Sequence, residues 1–312
     1  MRLWLSRTNL EVELGIAGFP GILHPRGDLS CRLAGAMARC SAPSMLKSIR
    51  SLLRHRPTPS KSSVPEGQRV YAIGDVHGRR DLFDQLIDLI EDDDASRPPA
   101  RTTIVLLGDL IDRGPDSAGV IDAAIALAGR RDVRSLAGNH EEMFLDSFEK
   151  IATLRHFLRY GGKETVLSYP LAPEQYERMS HEEIQAALPR LVPARHLAYL
   201  RAMEDHITIG DYLFVHAGVR PGVDLAEQRS SDLRWIREPF LDHAGDHGAI
   251  VIHGHTITEE VVQRRNRIGI DTGAYLSGRL TAIGLERTER WFLNTSTPVT
   301  GGQPMTGTRS YA

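Results

Sequence analysis

An apolar run from Val70 to Ile73 breaks into the polar cluster Gly74-Asp75-Val76-His77-Gly78, and the same succession returns three times. Thr103 to Leu107 leads into Gly108-Asp109-Leu110-Ile111-Asp112-Arg113-Gly114, Val133 to Ala137 into Gly138-Asn139-His140-Glu141, and Ala249 to Ile252 into His253-Gly254-His255-Thr256. Short runs of this kind closed by glycine predict strands. Asp81 to Ile90 carries Leu82, Leu86, Leu89 and Ile90 at helical spacing, and Ser117 to Leu127 repeats the period after Pro115. Strand, cluster, helix, strand predicts right-handed crossovers and a largely parallel sheet covered by helices. Loops leaving the carboxyl ends of such strands converge on one crevice, so residues distant in sequence can meet there.

The pattern changes from Glu141 to His206, where helical stretches are interrupted by Gly161-Gly162, Pro170, Pro173, Pro189 and Pro193. This segment predicts a helical insert near the crevice. After it, Tyr212 to Val215, Ala249 to Ile252, Arg267 to Ile270 and Leu280 to Leu285 predict a strand-rich second half. The expected fold class is α/β, a sandwich of two mixed sheets flanked by helices. Residues 1–44 show neither period, Met45 opens a second candidate start, and Arg54 to Gly67 is a linker too poor in apolar side chains to pack. The reading divides the chain into a disordered extension and linker over 1–67, one folded domain over 68–293 and a disordered tail over 294–312.

Charge and cysteine content narrow the function. With 38 basic and 40 acidic residues the chain lacks the positive field that nucleic acid or an acidic membrane surface attracts, and neither is an expected partner. Cys31 and Cys40 both precede the first cluster, so the core has no thiolate for a metal and no disulfide, which fits a cytoplasmic protein. No apolar run approaches the roughly 20 residues of a membrane span. The longest, Leu14 to Leu23, is broken by Gly15, Gly18, Pro20 and Gly21 and follows Glu11 and Glu13, where a secretory signal needs positive charge.

The clusters offer carboxylate, imidazole and amide oxygen donors, a set suited to divalent manganese, iron or zinc. Asp75 and His77 can chelate one ion, Asp109 can bridge two, and Asn139 supplies a neutral oxygen to a second ion completed by His216 and His255. Each signal alone has a plainer meaning: a Gly-Asp pair after a strand is usually a turn, and a single His216 is usually a core histidine. Their joint order is what points to a dinuclear site. His156, His181, His196, His206, His243 and His247 are assigned to surface or packing roles.

These motifs resemble the phosphoprotein phosphatase family of Ser/Thr phosphatases, especially its bacterial and phage branch. The resemblance runs from about Val70 to Leu285 and includes Gly138-Asn139-His140-Glu141, Gly161-Gly162, Trp235-Ile236-Arg237, Gly254-His255-Thr256 and Ile270-Asp271-Thr272-Gly273-Ala274. It implies the calcineurin-like metallophosphoesterase sandwich and two divalent ions, with manganese expected and iron or zinc as the other candidates. It puts Asp75, His77 and Asp109 on one ion and Asp109, Asn139, His216 and His255 on the other, and leaves His253 as a supporting residue. By the same resemblance His140 is the general acid, oriented and kept protonated by Asp112, and Arg113 and Arg237 hold the phosphate. The plainer alternatives are a surface ion pair to Glu238 for Arg237, and Arg234 in its place.

The implied reaction is in-line attack of metal-activated water on phosphorus, with no covalent phosphoenzyme. The expected substrate is a phosphoprotein or phosphopeptide carrying phosphoserine or phosphothreonine, with phosphotyrosine also open, and the expected state is a monomer. The competing enzyme class is a symmetrical dinucleoside tetraphosphatase or small-molecule phosphoesterase. Asp112 before Arg113 and Glu141 after His140 resemble the protein-phosphatase pattern, whereas the tetraphosphatases commonly lack the first acid and carry Asp after the histidine. A degenerate binding module is the nonenzymatic alternative, opposed by the complete ligand set.

Overall fold

The structure is a computed structural model that describes residues 62–295. Its first half alternates strand and helix as β1 (Gln68–Ile73), α1 (Arg80–Ser96), β2 (Arg101–Leu106), α2 (Ser117–Ala128), β3 (Asp132–Ser135) and α3 (Asn139–Ser147). The insert follows, as α4 (Ile151–Phe157), α5 (Lys163–Leu167), α6 (Pro173–Tyr176), α7 (His181–Leu191) and α8 (Ala194–Arg201). The second half holds β4 (His206–Ile209), β5 (Tyr212–Val215), α9 (Ser230–Trp235), β6 (Ile250–His253), β7 (Val262–Gln263), β8 (Arg267–Gly269), α10 (Ala274–Ser277), β9 (Thr281–Glu286) and β10 (Glu289–Asn294).

Two mixed five-stranded sheets result, in the orders β10-β9-β1-β2-β3 and β4-β5-β6-β8-β7. β1, β2 and β3 run parallel, as do β5, β6 and β8, while β9, β10, β4 and β7 pair antiparallel. The period of two explains the layering. Val70, Ala72, Val105 and Leu107 face the second sheet and meet Tyr212, Phe214, Ile252 and Ile268, whereas Tyr71, Ile73, Ile104 and Leu106 face Leu82, Leu86, Val120 and Ile121 of the helices. On the far side of the second sheet, Leu213 and Val215 pack against Leu233, Ile236 and Phe240. Strands buried on both faces read as continuous apolar runs, which is why they were visible in sequence.

Packing reaches past both predicted boundaries of the folded domain. Val64, assigned to the linker, lies in the core between the sheets and donates its N–H to Arg287 O at 2.8 Å. One valine among prolines and serines leaves no periodicity to detect. Asn294, assigned to the tail, ends β10, and Thr295 is buried with its hydroxyl accepting from Leu280 N at 2.9 Å. The expectations for residues 1–61 and 296–312 fall outside the described residues. No helix among the described residues is long and apolar enough to cross a membrane.

Candidate active site

Five strands of the parallel runs deliver the clusters to one place: Asp75 and His77 follow β1, Asp109 to Arg113 follow β2, Asn139 and His140 open α3 after β3, and His216 and His255 follow β5 and β6. The backbone there is unusual. Among the described residues, six other than glycine adopt a left-handed φ, and all but Arg287 are His77, Asp109, Asp112, Arg113 and His255. Such conformations persist only where surrounding contacts hold them, and they concentrate at functional sites. Gly254 permits one tight approach, because a Cβ there would stand 2.0 Å from Asp75 Oδ1.

His216, Asn139 and His255 converge on Asp109. His216 Nε2 lies 3.0 Å from Asn139 Oδ1 and 3.5 Å from Asp109 Oδ1, and His255 Nδ1 lies 2.9 Å from the same Asn139 oxygen. His216 Nδ1 is 2.9 Å from Leu107 O, to which it must donate, so its Nε2 carries a lone pair. Lone pairs therefore face one another at Nε2 and the Asn139 oxygen with no proton between them. Atoms sharing one cation at about 2 Å stand about 3 Å apart, so a divalent ion satisfies this contact. Burial pushes His216 down to about 4 and His255 down to about 2, which keeps both rings neutral and able to donate a lone pair. His255 Nε2 is buried with no partner.

On the other side of Asp109, His77 Nε2 is 3.6 Å and His140 Nε2 3.9 Å from Oδ2. His77 Nδ1 lies 2.8 Å from Ile111 O, which again leaves Nε2 as the lone-pair nitrogen. The donor atoms of His77, Asp109 and His140 form one compact group and those of Asp109, His216 and His255 another, with Asp109 common to both. Asp75 belongs to neither group: its carboxylate accepts the His255 N–H at 3.0 and 3.2 Å. Burial first, then the charges of Asp271 and Asp109, raise Asp75 well above the carboxylate range. Burial likewise raises Asp109, with His140 and Arg113 opposing. A cluster of buried acids held up in this way is the environment a bound cation reverses.

Arg113 spans the two rings beside this group, with Nη1 2.7 Å from His77 Nε2 and Nη2 3.0 Å from His140 Nε2. It is held by the insert. Gly161, at φ 107°, accepts Arg113 N at 3.0 Å, and a Cβ on Gly161 would meet Arg113 Cγ at 2.6 Å. The opposite ring nitrogen of His140, Nδ1, is 2.5 Å from Asp112 Oδ2. Thr165 donates to the other Asp112 oxygen at 2.5 Å, and the Asp112 N–H is shared by Ser117 Oγ and Thr165 Oγ1, each at 2.9 Å. Burial lowers His140 below its ordinary range, with Asp109 opposing and Arg113 adding to the shift. Arg113 Nη2 can only donate, so His140 Nε2 accepts from it and carries no proton in this arrangement; protonation there awaits a change around Arg113.

Glu141 is a structural key that the sequence showed only as a motif letter. Fully buried, it accepts Gly138 N and Asp109 N on Oε2, both at 2.9 Å, and Leu110 N on Oε1 at 2.8 Å. It ties the turn carrying Asp109 to the start of α3. Thr165 and Asp271 were equally unassigned. Asp271 lies against Asp75, its Oδ2 buried without a hydrogen-bond partner, and burial pushes it up to about 6.

Arg237 is exposed and forms no ion pair with Glu238, and its charge acts on His255. Arg234 is committed elsewhere, to Asp205 Oδ1 at 2.6 Å and Glu142 Oε2 at 2.9 Å. His253 is buried in β6, 3.1 Å from Gly254 O, and enters neither donor group. His196 packs between Tyr169 Oη at 3.0 Å and Asp122 Oδ1 at 2.8 Å.

Residues 68–278 match the model of the calcineurin-like phosphoesterases. A symmetrical bis(5'-nucleosyl)-tetraphosphatase of Acidovorax sp. (strain JS42) is 30% identical over 58% of this chain and 51% of its own length. The chain thus spans about half the length of that relative. Serine/threonine-protein phosphatase 1 of Salmonella typhimurium is 28% identical over 70% of this chain and 93% of its own. The crystal structure of a proposed diadenosine tetraphosphatase superposes with a TM-score of 0.53 at 19% identity, covering 76% of this chain and 98% of its own, which speaks for the fold. With that match over more than half of its length, the chain belongs to the calcineurin-like phosphoesterase family.

Proposed function

We propose that this chain is a metal-dependent phosphomonoesterase whose substrates are proteins phosphorylated on serine or threonine, with phosphotyrosine a further substrate. It acts as a monomer in the cytoplasm and carries two divalent ions, manganese before iron or zinc. Asp109, Asn139, His216 and His255 would hold one ion, and Asp75, His77 and Asp109 the other. When bound, the ions supply a nucleophile at neutral pH and screen the phosphoryl charge.

The remaining work belongs to side chains. Arg113 and Arg237 are guanidinium forks suited to phosphate oxygens, where charge is spread in the transition state. Drawn onto a phosphate, Arg113 leaves the lone pair of His140 Nε2, which then takes up a proton from solvent and delivers it to the departing oxygen. Asp112 holds Nδ1 throughout and stabilises the imidazolium.

The observation that carries this reading is the 2.5 Å contact between His140 and Asp112. An alkoxide is a poor leaving group and needs a proton, whereas the phosphate expelled from an anhydride does not. A backed general acid therefore favours esters. Hydrolysis of dinucleoside tetraphosphates is the second reading, favoured by the tetraphosphatase relatives. The test is a panel of phosphoserine, phosphothreonine and phosphotyrosine peptides against diadenosine tetraphosphate, run on manganese-loaded protein. Higher kcat/KM on the peptides is expected, and turnover confined to the tetraphosphate would replace the first reading with the second.

A further inference from the structure

Outside the candidate site, a pocket of about 180 Å³ is lined by His253 and Thr256, which bracket Gly254-His255, and by Thr258, Arg264 and Arg267. It is larger than one water requires. Arg267 belongs to β8, opposite Val251 of β6, and is 7% exposed. Its Nη2 donates to Leu241 O at 2.9 Å, its Nη1 stands 3.4 Å from His253 Nε2, and its Nε is buried with no partner. Thr256 Oγ1 is likewise buried and unpartnered, whereas the Thr258 hydroxyl is spent on Glu260 O at 2.8 Å.

An arginine does not shed its proton, so Arg267 keeps a positive charge in a place that has desolvated it. No carboxylate forms an ion pair with it among the described residues. The charges that register at Arg267 are the neighbouring Arg264, which works against it, and exposed Asp242, which works in its favour. Arg264 is exposed and has no ion pair among the described residues, so the mouth is basic as well. Buried polar atoms without partners are rare in native proteins, and two on one pocket wall call for an occupant. Donors spread over two guanidinium groups and a hydroxyl suit an acceptor with several oxygens rather than a monatomic anion.

We propose that this pocket is a second anion site, for a small tetrahedral oxyanion such as inorganic phosphate, seated behind the turn that carries His255. Occupancy touches His253 and Thr256 together. Gly254 N donates to His216 O at 2.8 Å and His255 N to Asp75, so the anion braces the turn on which two candidate ligands depend.

Calorimetric titration of the metal-loaded full chain with inorganic phosphate tests this. Two equivalents are expected, one in the catalytic crevice and one here. Arg267→Met should remove the second, and because losing a buried arginine can unfold a chain, Arg264→Glu and Thr256→Val are titrated beside it. Each should weaken the second equivalent at least tenfold, and Arg264→Glu should leave turnover at low phosphate unchanged. Arg113→Ala should weaken only the first. A single equivalent in the native chain means that the pocket holds water, and a second equivalent that Arg264→Glu and Thr256→Val leave within twofold lies elsewhere; either result overturns the proposal. An inert enzyme with two phosphate equivalents would instead defeat the proposed function and leave this site standing.

Discussion

His140 is clasped at both nitrogens, by Asp112 Oδ2 at 2.5 Å from Nδ1 and by Arg113 Nη2 at 3.0 Å from Nε2. The first contact persists if the ring gains a proton, and the second cannot. Proton delivery and phosphate capture are thereby coupled through Arg113, since a guanidinium engaged with phosphate no longer occupies the nitrogen that must become N–H.

Replacement of His140 by Asn is therefore expected to spare metal content and lower turnover of phosphoserine peptides by about 100- to 10,000-fold, the usual scale of general acid–base catalysis. Nitrophenyl phosphate should lose less, because nitrophenolate departs with little proton assistance. Metal analysis and the ratio of the two turnover numbers, under conditions where chemistry limits both, check this. An equal loss on both substrates would make His140 an electrostatic or positioning group.

Asp109→Asn tests the shared carboxylate. Because Oδ1 faces His216 and Oδ2 faces His77, loss of its charge should weaken both ions together. Metal quantification after dialysis should show both sites depleted, with manganese affinity down by at least about 10- to 100-fold, the scale seen when even outer partners of a metal site are removed. Two retained ions with full activity would remove the bridge from the account.

Glu141→Gln should cost more than an ordinary polar substitution. Three backbone N–H groups, of Gly138, Asp109 and Leu110, lose a charged acceptor, and the new amide directs its own N–H groups toward them. A loss of roughly 2–3 kcal/mol in denaturant unfolding is expected, with weakened metal binding, because hydrogen bonds to charged groups are worth about 1.5–3 kcal/mol. Unchanged stability would mean that the turn carrying Asp109 is secured by other contacts.

The metal-free protein holds two sets of buried groups whose effects on stability oppose each other as pH falls. Burial lowers His216 and His253 to about 4 and His255 to about 2, so these rings stay neutral in the fold while the unfolded chain binds protons below about 6.5. Their contribution is present above that value and is lost as pH falls toward 4. Asp271 works in the opposite sense: its carboxyl is pushed up to about 6, so its contribution is full below the unfolded value of about 3.9 and fades as pH rises through 6. Asp75, Asp109, Asp112 and Glu141, also raised by burial, act in the same sense as Asp271, so the informative quantity is the difference between variants: measured in chelator, any fall in Tm between pH 6.5 and 5 should be larger in Asp271→Asn than in the native chain. A smaller fall in that variant would contradict the assignment.

What sequence alone determined was the set of strands buried on both faces and the polar clusters that end them. Continuous apolar runs and glycine-bounded breaks are local signals, so β1, β2, β5 and β6, with Asp75, His77, Asp109, Asn139, His216 and His255, were legible at once. The edge strands β4 and β10 were missed, because half-exposed strands such as His206–Ile209 bury too few side chains to print a period. Tertiary structure alone decided what each polar group faces. The grasp of Glu141 on the N–H groups of Asp109 and Leu110, Thr165 on Asp112, Gly161 against Arg113 and the place of Asp271 beside Asp75 all join residues far apart along the chain. No spacing rule reports these contacts, because they arise only when two sheets and an insert close on one crevice and leave its buried charges to find partners there.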